Sequence, residues 1–284
     1  METKKDNIQA SGIAYSCYAT KSREGEHFVQ ECTFTYQIAG SLVLNDGNQT
    51  YISNAGAFRL VRRNQLLKFI KEPPENGEFR SLTIFLDQQT LKDFSLEYGI
   101  NAEQKQYDQP VLDIEDHVLL HSYFQSLMTY HQTHSFDNPK LVQIKMKEAI
   151  LLLLQINPEL KNVLFDFTEP HKIDLESFMN KNYHFNVHLE RFAYLTGRSL
   201  ATFKRDFEKT FNTTPGRWLL HKRLQEAYYL LKEKGKAASD IYLELGFEDL
   251  SHFSFAFKKA FGEAPSKIMN QYSPSIPLLS TACD

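Results

Sequence analysis

Two periodicities divide this chain. From Thr33 to Leu86, apolar and polar residues alternate in short runs, FTYQIAG, SLVLNDG, TYISNAG, AFRLVRR and SLTIFL, punctuated by Gly, Asn-Asp-Gly and Pro-Pro. Alternation of β-branched and aromatic residues predicts strands, and Asp46-Gly47 between two such runs predicts a tight hairpin. Strands at ~8–12-residue spacing suggest a small barrel or sandwich. After Thr90 the period lengthens. IEDHVLLHSYFQSLMTYH sets Val118, Tyr123, Leu127 and Tyr130 close to one helical stripe, and Pro139 opens KLVQIKMKEAILLLLQI, which Asn157-Pro158 closes.

The second half is helical and repeats itself. Between Leu195 and Pro215, a shift of fifty residues gives seven identities: Leu195/Leu245, Leu200/Leu250, Phe203/Phe253, Phe207/Phe257, Lys209/Lys259, Phe211/Phe261 and Pro215/Pro265. Average composition gives roughly one in such a window. The Phe residues recur at i, i+4 and i+8, a packing stripe, and each Pro ends one helix before the next begins. A shorter apolar segment precedes each copy, LERFAYLTG with Gly197 and SDIYLELGF with Gly246. Short helix, Gly-containing turn and amphipathic second helix is the plan of a helix-turn-helix, whose second helix enters a DNA major groove. With the Phe stripe inward, 100° per residue turns Ala201, Thr202, Arg205 and Lys209 outward in the first copy and Ser251, His252, Phe255 and Lys259 in the second. Small, hydrogen-bonding and basic residues suit base edges near the helix start and phosphates near its end. An outward Phe255 is a liability in plain solvent and suits thymine methyls or a partner surface.

Composition sharpens this picture. The chain has 284 residues, 42% hydrophobic, with a net charge of −3, enough for one large or two ordinary domains. Taken whole, that charge points away from nucleic acid, but residues 174–270 carry 15 basic and 12 acidic groups, whereas residues 1–173 carry 17 and 22. Cys17, Cys32 and Cys283 form no C-x-x-C pair, so neither a disulfide framework nor a zinc ribbon is signalled and a reducing cytoplasm is the expected home. The amino terminus has no signal-peptide core, and the longest aliphatic run, Ile150 to Leu154, is far short of the ~20 residues that span a bilayer. VLFDFTEPHKI, residues 163–173, reads as a linker.

The stretch RLQEAYYLLKE…ASDIYLELGFEDLSHFSFAFKKAFGEAPSKI, with Arg223, Leu224, Ala227, Gly246, Phe247, Phe253, Phe257, Phe261, Gly262 and Pro265, resembles the signature of AraC-family transcriptional regulators, and LERFAYLTGRSLATFKRDFEKTFNTTPGRWL is similar to their first helix-turn-helix. The resemblance implies an α+β chain: a cupin-like β-barrel with a helical hairpin over residues 1–165 for sensing and dimerisation, a linker at 166–173, an all-α double helix-turn-helix domain at 174–270, and a tail at 271–284. It implies a sequence-specific regulator, an activator by polarity, that works as a cytoplasmic homodimer. Its two recognition helices enter successive major grooves of double-stranded DNA ~34 Å apart. RNA polymerase and a small effector or regulatory protein are the implied partners, and no cofactor is implied. Carried over by position, the base-facing sites fall on Ala201, Lys204 and Arg205, then Leu250, Ser251, His252, Ser254 and Phe255. The phosphate candidates are Arg198, Lys209, Arg217, Lys258, Lys259 and Lys267. The sequence departs from the family pattern at Phe255, usually Arg, which moves guanine readout toward Arg205, and at Asn212, usually Gly.

For the first half, effector-lining candidates are Tyr36, Tyr51, Phe58, Phe69 and Phe85, and the helix Lys140 to Ile156, with Leu141, Ile144, Leu152 and Ile156, is the candidate dimer surface. Two other readings stay open. A cupin-type metal enzyme fused to a DNA reader needs clustered His and a Glu on facing strands; here the strand region holds His27 alone, while His117, His121, His131 and His134 fall in or after a helix, and G-x-S-x-G, P-loop and G-x-G-x-x-G are all missing. A regulator controlled only by a protein partner fits the same strand alternation.

Overall fold

The computed structural model describes residues 8–10, 12–22, 28–103, 109–133 and 135–269; His27, His134, Cys283 and the 271–284 tail lie outside them. The chain divides into two compact units that meet at Pro170 and His171, within the stretch read as a linker.

The first unit carries β1 (Ile8–Ala10), β2 (Ile13–Tyr18), β3 (Phe28–Val29), β4 (Cys32–Ala39), β5 (Ser41–Asn45), β6 (Thr50–Ser53), β7 (Phe58–Val61), β8 (Gln65–Leu66), β9 (Lys68–Glu72), β10 (Phe79–Leu86) and β11 (Val111–Ile114). Six strands form an antiparallel sheet in the order β1-β2-β10-β4-β7-β11, and three form a second, β6-β5-β9. Asp46 and Gly47 make the β5–β6 turn, where the Asp46 carboxylate accepts from the backbone amides of Asn48 and Gln49 at 2.8 and 2.7 Å.

Register decides what each face of the large sheet shows. Thr83 lies opposite Ala14 and Thr35, and Thr35 opposite Arg59. Ile84 lies opposite Ile13 and Phe34, and Phe34 opposite Leu60. Because side chains alternate between faces, one face is a row of hydroxyls with an arginine and the other is apolar. The apolar face is covered by three helices, α1 (Gln88–Tyr98), α2 (Val118–Gln132) and α3 (Pro139–Ile156). Phe34, Leu60, Leu82 and Ile84 there form one buried cluster with Phe94, Phe124 and Ile150. Phe34 meets Phe124 edge-on with ring centres 5.3 Å apart, a geometry aromatic pairs favour. The polar face turns the other way, toward the second sheet, across a cavity of about 490 Å³.

Both helix starts are chemically specified. His117 caps α2 by accepting from the amide of Leu119 at 3.2 Å. Asn138 caps α3 by accepting from that of Lys140 at 3.1 Å, with Pro139 in the first turn. The predicted α2 stripe needs one change. Val118 is 71% exposed, and the buried positions are Leu120, Tyr123, Phe124 and Leu127, because 100° per residue sets Val118 nearly opposite the stripe those four define. A short α4 (Lys161–Leu164) ends the unit, and the Arg63 guanidinium then holds the chain beyond it, donating to the carbonyls of Asp166 and Thr168 at 3.0 and 2.6 Å.

The second unit is α5 (Leu175–Asn182), α6 (Leu189–Leu195), α7 (Leu200–Phe211), α8 (Pro215–Lys234), α9 (Ala238–Ile241), α10 (Leu250–Phe261) and α11 (Pro265–Met269). The helix read in SDIYLELGF is shorter than its sequence suggests: only Ala238–Ile241 is helical, and residues 242–246 are turns. α8 joins the two helix-turn-helix units. Its Trp218 packs on Phe207 and Phe211, with ring centres 5.6 and 4.7 Å away. Its Leu224, Ala227 and Leu231 are buried with Ile241, Phe253 and Phe257.

Candidate nucleic-acid interface

α7 and α10 are built from the same local chemistry. Each runs twelve residues, and each starts behind a capping side chain: Ser199 Oγ accepts from the amide of Thr202 at 3.2 Å, and Asp249 Oδ1 from that of His252 at 2.6 Å. Each ends on a left-handed residue, Asn212 at φ 52° and Gly262 at φ 82°. Asn tolerates that region better than other side chains, which is how the departure from Gly at 212 is accommodated. Lys209 stands in the last turn of α7, and Lys258 and Lys259 in that of α10, where cations also favour the helix dipole.

The turns before these helices depend on glycine. At Gly197, φ is 63° and a Cβ would lie 2.2 Å from the His171 carbonyl carbon. At Gly246, φ is 81° and a Cβ would lie 2.9 Å from the Arg223 guanidinium carbon. That guanidinium is the hub of the unit. Arg223 donates to the carbonyls of Tyr183 and Phe185 before α6, each at 2.8 Å, and to that of Gly246 at 2.9 Å. Burial brings its pKa down to about 10. One side chain on α8 thereby holds the entrance to the first helix-turn-helix and the turn of the second.

The outward positions divide by chemistry. Ala201, Lys204, Arg205, Leu250, Ser251, His252 and Phe255 are exposed, Phe255 at 69%. Thr202 and Ser254 are half-buried, and Thr202 Oγ1 accepts from the capping hydroxyl of Ser199 at 3.0 Å. Lys209, Arg217, Lys258, Lys259 and Lys267 are exposed. Arg198 does not fit the phosphate set. Its side chain is only 6% exposed and donates to Asp206 at 3.2 Å and to the carbonyls of Ile173 and Thr196 at 3.0 and 2.7 Å. That bond holds the Asp206 carboxyl below its ordinary range. A guanidinium committed to three acceptors braces the turn before α7.

The first unit corrects the other candidates. Tyr36 and Phe58 stack at 4.7 Å on the helix-covered face, against Phe124, and do not line the cavity. Phe69 and Phe85 do line it, whereas Tyr51 packs with Leu42 and Leu44 and does not. On α3, Leu152 and Ile156 pack against the core beneath, Leu141 is half-buried, and Ile144 stands 61% exposed. His117 caps a helix, and His121 pairs through Nε2 with Asp116 at 2.5 Å. Among the described residues, no helix is long and apolar enough to cross a membrane.

Comparison with known proteins agrees with this layout. Residues 192–271 match the family model of a helix-turn-helix domain, and residues 32–165 match that of the ExsA N-terminal regulatory domain. The chain is 26% identical over 254 residues to the HTH-type transcriptional regulator ExsA of Pseudomonas aeruginosa, covering 88% of this chain and 87% of that protein. The chain carries an AraC-type helix-turn-helix domain behind an ExsA-type regulatory domain. Other relatives are the virulence regulon transcriptional activator VirF of Yersinia enterocolitica, 26% identical over 81% of this regulator and 86% of that protein, and the transcriptional activator RhaS of Pectobacterium carotovorum, 27% identical over 87% and 88%. The regulator thus joins an N-terminal regulatory domain to a helix-turn-helix DNA-binding domain.

Proposed function

We propose that this regulator reads a two-part operator with α7 and α10 in successive major grooves and activates transcription there by engaging RNA polymerase. The observation that carries the reading is the equivalence of the two helices: same length, same cap position, Phe residues inward at the same spacing. Within it, Arg205 takes guanine through its guanidinium fork, Lys204, Ser251 and His252 contact base edges, and Leu250 and Phe255 meet thymine methyls. Lys209, Arg217, Lys258, Lys259 and Lys267 neutralise phosphates. Two chains pair through the Ile144 face of α3 in the cytoplasm, and the N-terminal domain sets activity through an effector in the cavity. The test is an electrophoretic shift with the DNA upstream of the regulator's own gene and its neighbours, repeated with Arg205→Ala. A specific shift weakened by the substitution, with weak non-specific binding intact, supports the assignment; equal losses on specific and random duplexes overturn it.

A further inference from the structure

The large sheet keeps a charged group where a packed barrel would hold an aliphatic one. Arg59, in the middle of β7, is 4% exposed and lines the cavity. Its Nη2 donates to the Ile52 carbonyl at 3.0 Å and pairs with Asp113 on the neighbouring strand, but among the described residues Nε and Nη1 have no acceptor. Buried donors are as a rule satisfied, and a buried guanidinium with two open N–H directions is an anion receptor already desolvated. Beside it stand hydroxyls: Thr35 opposite Arg59 in register, Thr83 opposite Thr35 with the two Oγ1 atoms 3.0 Å apart, and Ser81 on the same strand face as Thr83. Across the cavity, the second sheet offers Leu44 and Phe69.

We infer that the cavity of the first unit binds a hydroxylated organic anion of sugar-acid or sugar-phosphate type, its oxyanion on Arg59, its hydroxyls on the Thr35–Ser81–Thr83 wall, and its less polar face on Leu44 and Phe69. The wall selects this class. A long alkyl carboxylate would set hydrocarbon against the hydroxyl wall, and a neutral polyol would give Arg59 Nε and Nη1 only uncharged acceptors, weaker than an oxyanion. The volume of about 490 Å³ falls within the range of small-molecule sites. Two other charges line the cavity. Lys71 is committed to the Tyr18 hydroxyl at 3.2 Å, and burial, with Asp87 nearby, raises the pKa of the Glu31 carboxyl. β7 ends at Val61, two residues before Arg63, whose guanidinium holds Asp166 and Thr168, so the chain that carries Arg59 leads to the contact with the segment that closes the unit.

This inference rests on the effector-controlled reading above. Binding is therefore measured on the full chain without DNA, so that a failed operator shift and an empty cavity are separate results. The probes are gluconate, glucose 6-phosphate, glucose and octanoate, followed by calorimetry and thermal shift. Saturable binding of gluconate or glucose 6-phosphate, at least tenfold tighter than glucose and octanoate, is expected, and whichever binds tells carboxylate from phosphate. Arg59→Gln should abolish it, Arg59→Lys should keep part of it, and Thr35→Val with Ser81→Ala should weaken it about tenfold with the charge in place. Equal binding of glucose, preference for octanoate, binding that survives Arg59→Gln, or no saturable binding of either anion at ~10 mM would overturn the assignment.

Discussion

α7 and α10 begin fifty residues apart, and the aromatic stripe that faces inward has been kept, Phe203 and Phe253, Phe207 and Phe257, behind a capping oxygen at Ser199 and Asp249. What faces outward has diverged, Lys209 and Lys259 excepted. The first helix shows Ala201, Lys204 and Arg205, the second Leu250, Ser251, His252 and Phe255. Packing fixes the frame because a core position answers to all its neighbours at once, whereas an outward position answers only to the base pair it meets. The two helices are one scaffold with two alphabets, the first charged and the second mixing a hydroxyl and an imidazole with apolar groups.

The hardest blow to that pairing is Arg223→Ala. It removes a buried guanidinium from three carbonyls that belong to both helix-turn-helix units, and each orphaned group costs roughly 1–3 kcal/mol. A loss of about 3 kcal/mol in urea unfolding is expected, together with loss of binding by both helices. If only one half of the operator loses its footprint, Arg223 supports one unit and the shared frame is wrong.

Arg205→Ala attacks one alphabet and leaves the frame alone. Its side chain is 66% exposed and lies 3.6 Å from the Asp206 carboxylate, an exposed pairing, so thermal stability should hold. Affinity for the specific site should fall by ~1–3 kcal/mol, with specificity relaxed at one guanine. A uniform loss across sequences would make it a phosphate contact instead. The caps come next: Ser199→Ala and Asp249→Ala should each cost about 1 kcal/mol of stability, because each leaves an N-terminal amide without its acceptor. Similar costs in thermal unfolding would show that the repeat preserves energy as well as shape; a cost at one site alone would confine the equivalence to geometry.

The same division explains what was legible in the sequence. The double helix-turn-helix could be read because its helices bury one stripe each, and a buried stripe leaves its period in the chain. The cavity could not be read in the same way. Alternation in FTYQIAG and AFRLVRR says that Thr35 and Arg59 oppose Phe34 and Leu60, but not which set faces the core. In an ordinary sandwich the aromatic set points inward, which made Tyr36 and Phe58 the natural lining. Here α1, α2 and α3 cover the outside of the large sheet, so the aromatic core lies there and the polar set faces the cavity. The signal was a charged residue inside an apolar strand. Arg198 was misplaced for a related reason, since its position before α7 says nothing of the carbonyls of Ile173 and Thr196 that fold back onto it.

The finest test of the two alphabets is at Phe255. An exposed phenylalanine between buried Phe253 and Phe257 gives the second helix an apolar contact and no hydrogen bond, so the feature it can recognise in a major groove is the thymine methyl. Replacing thymines by uracil one at a time in the second half of the operator removes that methyl and nothing else. One such replacement should cost about 0.8 kcal/mol, the value of a single buried CH₂ group, or roughly a fourfold weaker Kd. In Phe255→Ala the same replacement should cost nothing, and Arg205→Ala should leave the thymine effect intact, because the two helices read different half-sites. If uracil is silent in the wild type, Phe255 meets something other than DNA, and the second helix reads through Ser251 and His252 alone.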